Sequence, residues 1–251
     1  VHCAAATSGG WREHQSASID ATMHVVDAMA AAGCGRLVHV SSIAVVDGRG
    51  AEIGESSPYR EDPRASGPYA WGKLESERLV RRRGADGTMD ITIVRPGAIV
   101  DYDDFDPPGR LGKRLGNLFV AVGGRREGLG VVDVEFCAQA IAALVEMKGA
   151  PDVVHLLEPG LPTRRRLVGH LKHRNPSLRV LWIPRWTVRP LGLLAVGLQK
   201  LLRRGQSVVD VGAIFANREY DTTIAAGINR TLATADETEN RSEAEGPPRT
   251  G

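Results

Sequence analysis

Cysteine, aromatic side chains and long apolar runs are all scarce in this chain, and each scarcity removes a class of protein. Three cysteines stand among 251 residues, Cys3, Cys34 and Cys137, with no Cys-x-x-Cys spacing. Neither a disulfide framework nor a thiolate zinc site is therefore expected, and the usage fits a reducing, cytoplasmic setting. No segment offers the roughly 20 apolar residues that a spanning helix needs, so no transmembrane span is expected. The richest stretch, Trp182 to Arg204, is interrupted by Arg185, Arg189 and Pro190. Its part 186–204 reads as a helix lining a pocket or a subunit contact, with weak contact at a membrane surface as the alternative. A charge excess is missing too. The formal net charge is +2, and the runs Arg81-Arg82-Arg83, Arg125-Arg126, Arg164-Arg165-Arg166 and Arg203-Arg204 are scattered and offset by acids. They read as solvated helix ends, and no nucleic-acid partner is expected. His170 and His173 share a helix face without a third ligand nearby, so no metal is expected. No secretory pattern opens the sequence.

What is present is alternation. Apolar spacing predicts a helix from Trp11 to Ala32, with Ile19, Met23, Val26 and Ala30 on one face and Gly33 ending it. A strand over 36–41, a helix over 68–83 and a strand over 90–95 follow, then a helix near 110–121 and another over 135–147. This order implies a parallel sheet covered by helices on both faces. Asp47 to Pro68, rich in Gly, Ser, Pro and charge, reads as a loop flanking a cleft. Beyond Pro151 come Val153 to Leu157, a helix containing Leu167 and Leu171, and Val180 to Ile183. The expected division is a domain over 1–150, a smaller substrate region over 151–230, and a tail over 231–251 too poor in apolar residues to pack. With 42% apolar residues the chain can bury one domain and a small appendage.

One constellation carries chemistry. In Gly67-Pro68-Tyr69-Ala70-Trp71-Gly72-Lys73, a helix stacks Tyr69 and Lys73 on one face, because they are four residues apart. An ammonium beside a phenol favours the phenolate, so the pair can move a proton nearer neutral pH than a free tyrosine can. Upstream, Arg36 to Val40 runs as a strand into Ser41 and Ser42. Ligands of open parallel sheets bind outside the carboxyl ends of strands, which brings these hydroxyls to the rim where Tyr69 arrives. A serine there can polarise a carbonyl, and the plainer alternative is a serine-capped turn.

These residues resemble the extended short-chain dehydrogenases/reductases, also described as the NAD-dependent epimerase/dehydratase family. Val1-His2-Cys3-Ala4-Ala5 is similar to the family's fourth strand and Ser18-Ile19-Asp20-Ala21-Thr22 to its Asn-x-x-Gly-Thr segment. Val40 to Val45 resembles its active-site strand, Tyr69 to Lys73 its catalytic helix, and Ile93-Val94-Arg95-Pro96-Gly97 its sixth strand with the following turn. Val132 to Ala140 is similar to the stretch that opens a late helix. The resemblance implies a doubly wound, Rossmann-like α/β sheet with a small C-terminal substrate region. It implies Ser42, Tyr69 and Lys73 as catalytic residues, and Ala4, Ala5, Ser18, Tyr69, Lys73 and Pro96 at a bound NAD or NADP. The family's glycine-rich turn does not precede residue 1, and Gly33-Cys34-Gly35 and Gly123-Gly124 do not replace it. On that ground the chain is expected to be a piece lacking about three strands of the fold and poor at holding a dinucleotide alone.

The resemblance further implies a reaction at a CH–OH or ketone group of a small-molecule substrate, in a protein that can form a homodimer. Ala98 stands where nucleotide-sugar enzymes of the family carry an Asn on the phosphates, and an alanine has no amide donor. This tilts the expectation toward an oxidoreductase of apolar substrates, similar to hydroxysteroid dehydrogenases or dihydroflavonol reductases. A nucleotide-sugar epimerase or dehydratase is the alternative, and a non-catalytic dinucleotide-binding protein or inactive fragment is the third reading.

Overall fold

The computed structural model describes residues 1–48, 52–188, 190 and 218–245, with side chains as far as residue 234. Most of the segment 186–204 singled out above lies outside the described residues. The chain runs α1 (Trp11–His14), a π-helical turn (Gln15–Asp20), α2 (Ala21–Ala31), β1 (Arg36–Val40), β2 (Glu52–Ile53), α3 (Pro68–Gly84), β3 (Asp90–Pro96) and β4 (Ala98–Val100). It continues through β5 (Gly112–Leu115), β6 (Leu118–Val122), β7 (Val131–Asp133), α4 (Val134–Glu146), β8 (Val153–Leu156), α5 (Arg164–Arg174), β9 (Arg179–Ile183), β10 (Glu219–Tyr220) and α6 (Thr223–Glu245).

β1, β3 and β8 form a parallel sheet in the order β1-β3-β8. On the other side of β1, His2 forms a parallel bridge to His39, through His2 N to Val38 O at 2.9 Å and Val40 N to His2 O at 3.0 Å. Alternate residues of a strand face opposite ways, and β1 uses both faces. Leu37 packs with Val26 and Val80 of α2 and α3, whereas Val38 packs with Cys137, Ala140 and Leu144 of α4 and with Ile228 of α6. Each of the buried Leu, Val and Ile side chains among these contributes about 1.5–3 kcal/mol. Helices on both faces make the sheet doubly wound, as the alternation predicts. β8 completes this sheet, so Val153 to Leu156 belongs to the main layer rather than to a separate C-terminal region.

Three expectations change. Residues 110–121 do not form a helix: β5 and β6 pair as an antiparallel hairpin that joins β9, and α5 covers it through Leu167, Val168 and Leu171 against Phe119 and Ala121. Gly116 (φ +59°) and Asn117 make its two-residue turn, and a positive φ at the first turn residue alone is the II′ pattern that suits strand twist. The buried face of the first helix is His14, Ser18, Thr22 and Val26, whereas Met23 and Ala30 are exposed. The π-helical turn places these residues inward, and hydrogen bonds rather than apolar contacts seat Ser18 and Thr22. Finally, α6 runs on to Glu245, past residue 231, where composition suggests a disordered tail. The helix formers Ala and Glu in that stretch accommodate the continuation.

Candidate active site

A cavity of about 680 Å³ opens at the carboxyl ends of β1 and β3, and Ser42, Tyr69, Lys73, Ala5 and Pro96 all line it. Each arrives by local rules. β1 delivers Ser41 and Ser42, and Ser42 caps the short 3₁₀ turn Ile43–Val45, its Oγ accepting from Ala44 N at 3.2 Å. Pro68 opens α3, a position where a missing N–H costs nothing, and Tyr69 and Lys73 then share one face.

The two serines take opposite roles. Ser41 Oγ donates to Glu77 Oε2 at 2.6 Å, so its hydrogen is engaged. Ser42 Oγ accepts from the backbone, which leaves its own hydrogen available to an oxygen in the cavity. The Tyr69 hydroxyl makes no hydrogen bond among the described residues. Lys73 is 6% exposed, and its Nζ donates to Val40 O at 2.8 Å. Burial lowers its pKa, while the nearby Cys3 thiol opposes the shift. An ammonium has three donors, so two remain.

Behind the site, α3 is bolted to the sheet by charge. Glu77, fully buried one turn beyond Lys73, accepts from Arg95 Nη2 at 2.6 Å and from Tyr59 OH at 2.7 Å. Burial alone raises its pKa, but hydrogen bonds and charge from Arg95, with Ser41 and Tyr59, bring it below the ordinary value. Arg95 Nη1 also donates to His155 Nε2 at 3.2 Å, since a guanidinium has no acceptor. The spacing from Lys73 to Glu77 repeats that from Tyr69 to Lys73, and this was the available signal for Glu77. Arg95 reads in sequence only as part of a strand.

Two residues expected at a cofactor stand elsewhere. Ala4 is exposed and outside the cavity lining. Ser18 is buried behind it, its Oγ accepting from Ala6 N at 3.1 Å and its carbonyl accepting from Thr22 and Ser76 hydroxyls. Ser18 thus pins the π-helical turn to α3.

Conversely, the structure brings in Arg60, Arg110 and Arg218. Arg60 is tied by Nε to Ala44 O at 2.6 Å and by Nη1 to Ser66 Oγ at 3.1 Å, and Arg110 donates to Tyr220 OH at 3.1 Å. Burial lowers the pKa of Arg60 and Arg218, and the charge of Arg110 adds to the effect on each. Among the described residues the cavity wall holds these three guanidiniums and Lys73 but no carboxylate. The arginines lie 50 and 108 residues apart, so no local spacing unites them.

Small residues make another part of the cavity wall. Gly97 and Gly130 press backbone to backbone, so that a Cβ on Gly97 would lie 2.7 Å from Gly130 O, and Ala5 and Ala98 line the same cavity.

Comparison with known proteins agrees with the parallel α/β fold. Residues 1–115 match the family described as the NAD dependent epimerase/dehydratase family. No curated protein sequence matches the chain. Among solved structures, the chain is similar to UDP-glucuronic acid 4-epimerase from Bacillus cereus in complex with NAD, at 15% identity and TM-score 0.59 over 73% of this chain and 61% of that one. It is also similar to a short-chain dehydrogenase/reductase superfamily protein from Agrobacterium tumefaciens with bound NAD, at 16% identity and TM-score 0.59 over 96% and 80% of the two chains. A third is an NAD dependent NDP-hexosamine 5,6-dehydratase involved in tunicamycin biosynthesis, at 15% identity and TM-score 0.56 over 89% and 67%. At these identities the likeness is one of fold, a Rossmann-like α/β arrangement. The chain spans 61% of the length of the Bacillus epimerase.

Proposed function

Because residues 1–115 match the NAD dependent epimerase/dehydratase family, we propose that the protein is an NAD(P)-dependent enzyme of the short-chain dehydrogenase type acting on a sugar nucleotide or a comparable anionic alcohol. The observation that carries this reading is one cavity wall that, among the described residues, brings Ser42, Tyr69 and Lys73 together with Arg60, Arg110 and Arg218. Guanidiniums that reach a cavity offer forked N–H donors, which suit a phosphate or carboxylate on the substrate.

The proton chemistry follows from the hydrogen bonds. Tyr69 takes the proton of the reacting alcohol, or returns it to the ketone, through a hydroxyl that no described group engages. Ser42 donates its hydrogen to the same oxygen and polarises it. Lys73, held on Val40 O, keeps a positive charge beside the phenol and has donors left for a ribose hydroxyl. Tyr69, Lys73, Ala5 and Pro96 would hold the nicotinamide end of the cofactor, which supplies hydride acceptance and donation when bound.

The apolar-substrate reading keeps one specific support, Ala98 with Ile43, Ile99 and Ile141 in the same wall. Turnover separates the two. With sugar nucleotides, epimerised or dehydrated product without net change in NADH supports the proposal. Net NADH oxidation with neutral ketones, and none of the former, would replace it with the second reading. Tyr69→Phe should abolish turnover in either case, and a variant as active as wild type would remove the catalytic assignment. The reading also takes a cytoplasmic homodimer. Among the described residues no helix is long and apolar enough to cross a membrane, and sedimentation with and without lipid vesicles tests both association state and surface contact.

A further inference from the structure

Tyr69 is the second residue of α3. A helical aromatic side chain points back over the preceding turn, which normally selects its χ1 between 180° and −60°. At the second position α3 itself supplies no preceding turn, and the 3₁₀ turn Arg64–Ser66 before it is set off by Gly67 at φ +92°. The hydroxyl has no hydrogen bond among the described residues either, so neither end of the side chain is held by α3 or by a polar partner.

An aromatic ring stands against this side chain. His14, the last residue of α1, meets Tyr69 edge to face, with centroids 6.1 Å apart and planes at 83°. His14 is 1% exposed, and its Nδ1 is buried without a hydrogen-bond partner. A buried orphan nitrogen is uncommon and calls for a reason. The imidazole is also mounted on α3 itself. A Cβ on Gly72 would lie 3.1 Å from His14 Cβ and 3.2 Å from its Nδ1, so the glycine makes the seat. On one side Trp11 meets Trp71 edge-on at 5.5 Å, and on the other Ser76 Oγ donates to Ser18 O at 3.0 Å. The π-helical turn begins at the next residue, Gln15, and such turns often re-aim side chains at functional sites.

We infer that His14, seated on Gly72, is the positioning residue that holds the Tyr69 ring in a single rotamer facing the cavity. This rests on the reading of Tyr69 as the proton-transfer group. The ring edge does the holding, so a phenyl should replace it and a methyl should not.

Three-bond nitrogen–carbon and carbon–carbon couplings to Cγ report the χ1 populations of Tyr69, with Tyr59, Tyr102 and Tyr220 as internal controls. Wild type and His14→Phe should show one Tyr69 rotamer, and His14→Ala an average of two, with the other tyrosines unmoved. A single rotamer in His14→Ala, averaging in wild type, or averaging in His14→Phe each overturns the inference. Should His14→Ala fail to fold, Gly72→Ala displaces the same imidazole from α3 and should also average Tyr69; wild-type couplings there overturn it. These readings need no substrate, so absent turnover in wild type would count against the proposed function alone. Where turnover is found, His14→Ala should lower kcat by roughly 10–100-fold with KM within about twofold, and an unchanged kcat overturns the inference as well.

Discussion

Ser41 and Ser42 are neighbours of one chemical type, yet their hydrogen bonds separate them: Ser41 Oγ donates to Glu77, whereas Ser42 Oγ accepts from Ala44 N. Ser42→Ala should lower kcat by roughly 100-fold, the scale of a lost donor to a developing oxyanion, and leave the melting temperature near wild type. Ser41→Ala should do the reverse, removing about 1.5–3 kcal/mol of stability because Glu77 loses a hydrogen bond to a buried charge. Paired turnover and thermal melts check both, and a reversed pattern would transfer the catalytic role to Ser41. Glu77→Ala should be harsher still, at about 3–5 kcal/mol, since it leaves Arg95 charged and 2% exposed. At this scale the Tyr69 and Lys73 pair was legible in sequence, because four-residue spacing on a helix is a local rule. Between the serines, only the family resemblance points to Ser42; the residues themselves do not separate them, because their difference depends on a carboxylate 36 residues away.

At the scale of elements, residues 110–121 show how a period misleads. Leu111, Leu115, Leu118 and Val122 recur at helical spacing, but Gly112, Gly116 and Asn117 interrupt the run and Phe119 and Val120 favour a strand. Long-range pairing of β6 with β9 decides the outcome. Gly112 is required there, since a Cβ would meet the backbone of β6, with Ala121 Cα at 2.9 Å. Gly112→Ala should therefore lower stability by about 1–3 kcal/mol, read as a denaturant midpoint. Gly97→Ala should act on the site, because its Cβ would meet Gly130 O and Leu157 in the turn beside Pro96. Weaker nicotinamide-cofactor binding in calorimetry is the expected result, and unchanged affinity would place the cofactor away from this turn. The first helix was found by periodicity, but its inward face was not. Ser18 and Thr22 are buried by hydrogen bonds, which an apolar pattern does not record.

Across the whole molecule, buried histidines set the response to acid. Burial, with the charges of His2 and Lys73, lowers the pKa of His39 to about 3, and burial with Arg95 lowers that of His155 to about 4, from an ordinary 6.5. Between about pH 6 and pH 4 the unfolded chain binds about two protons that the folded chain refuses. The contribution of these rings is thus complete once the pH is well above 6.5 and should fall by about 3 kcal/mol for each pH unit between about 6 and 4. Lowered pKa values at His2 and Glu77 act in the same direction. Urea midpoints from pH 7 downward check this; a flat profile would contradict the burial of these rings, and His39→Gln should remove about half the slope. The sequence by itself determined what depends on neighbours along the chain: the alternating elements, the Tyr69 and Lys73 face, the strand that ends at Ser42. Tertiary structure alone decided which serine is free to donate, which helix face turns inward, and that three distant arginines share one wall. Those outcomes depend on donor direction and on contacts across 36 or more residues, which no local period encodes.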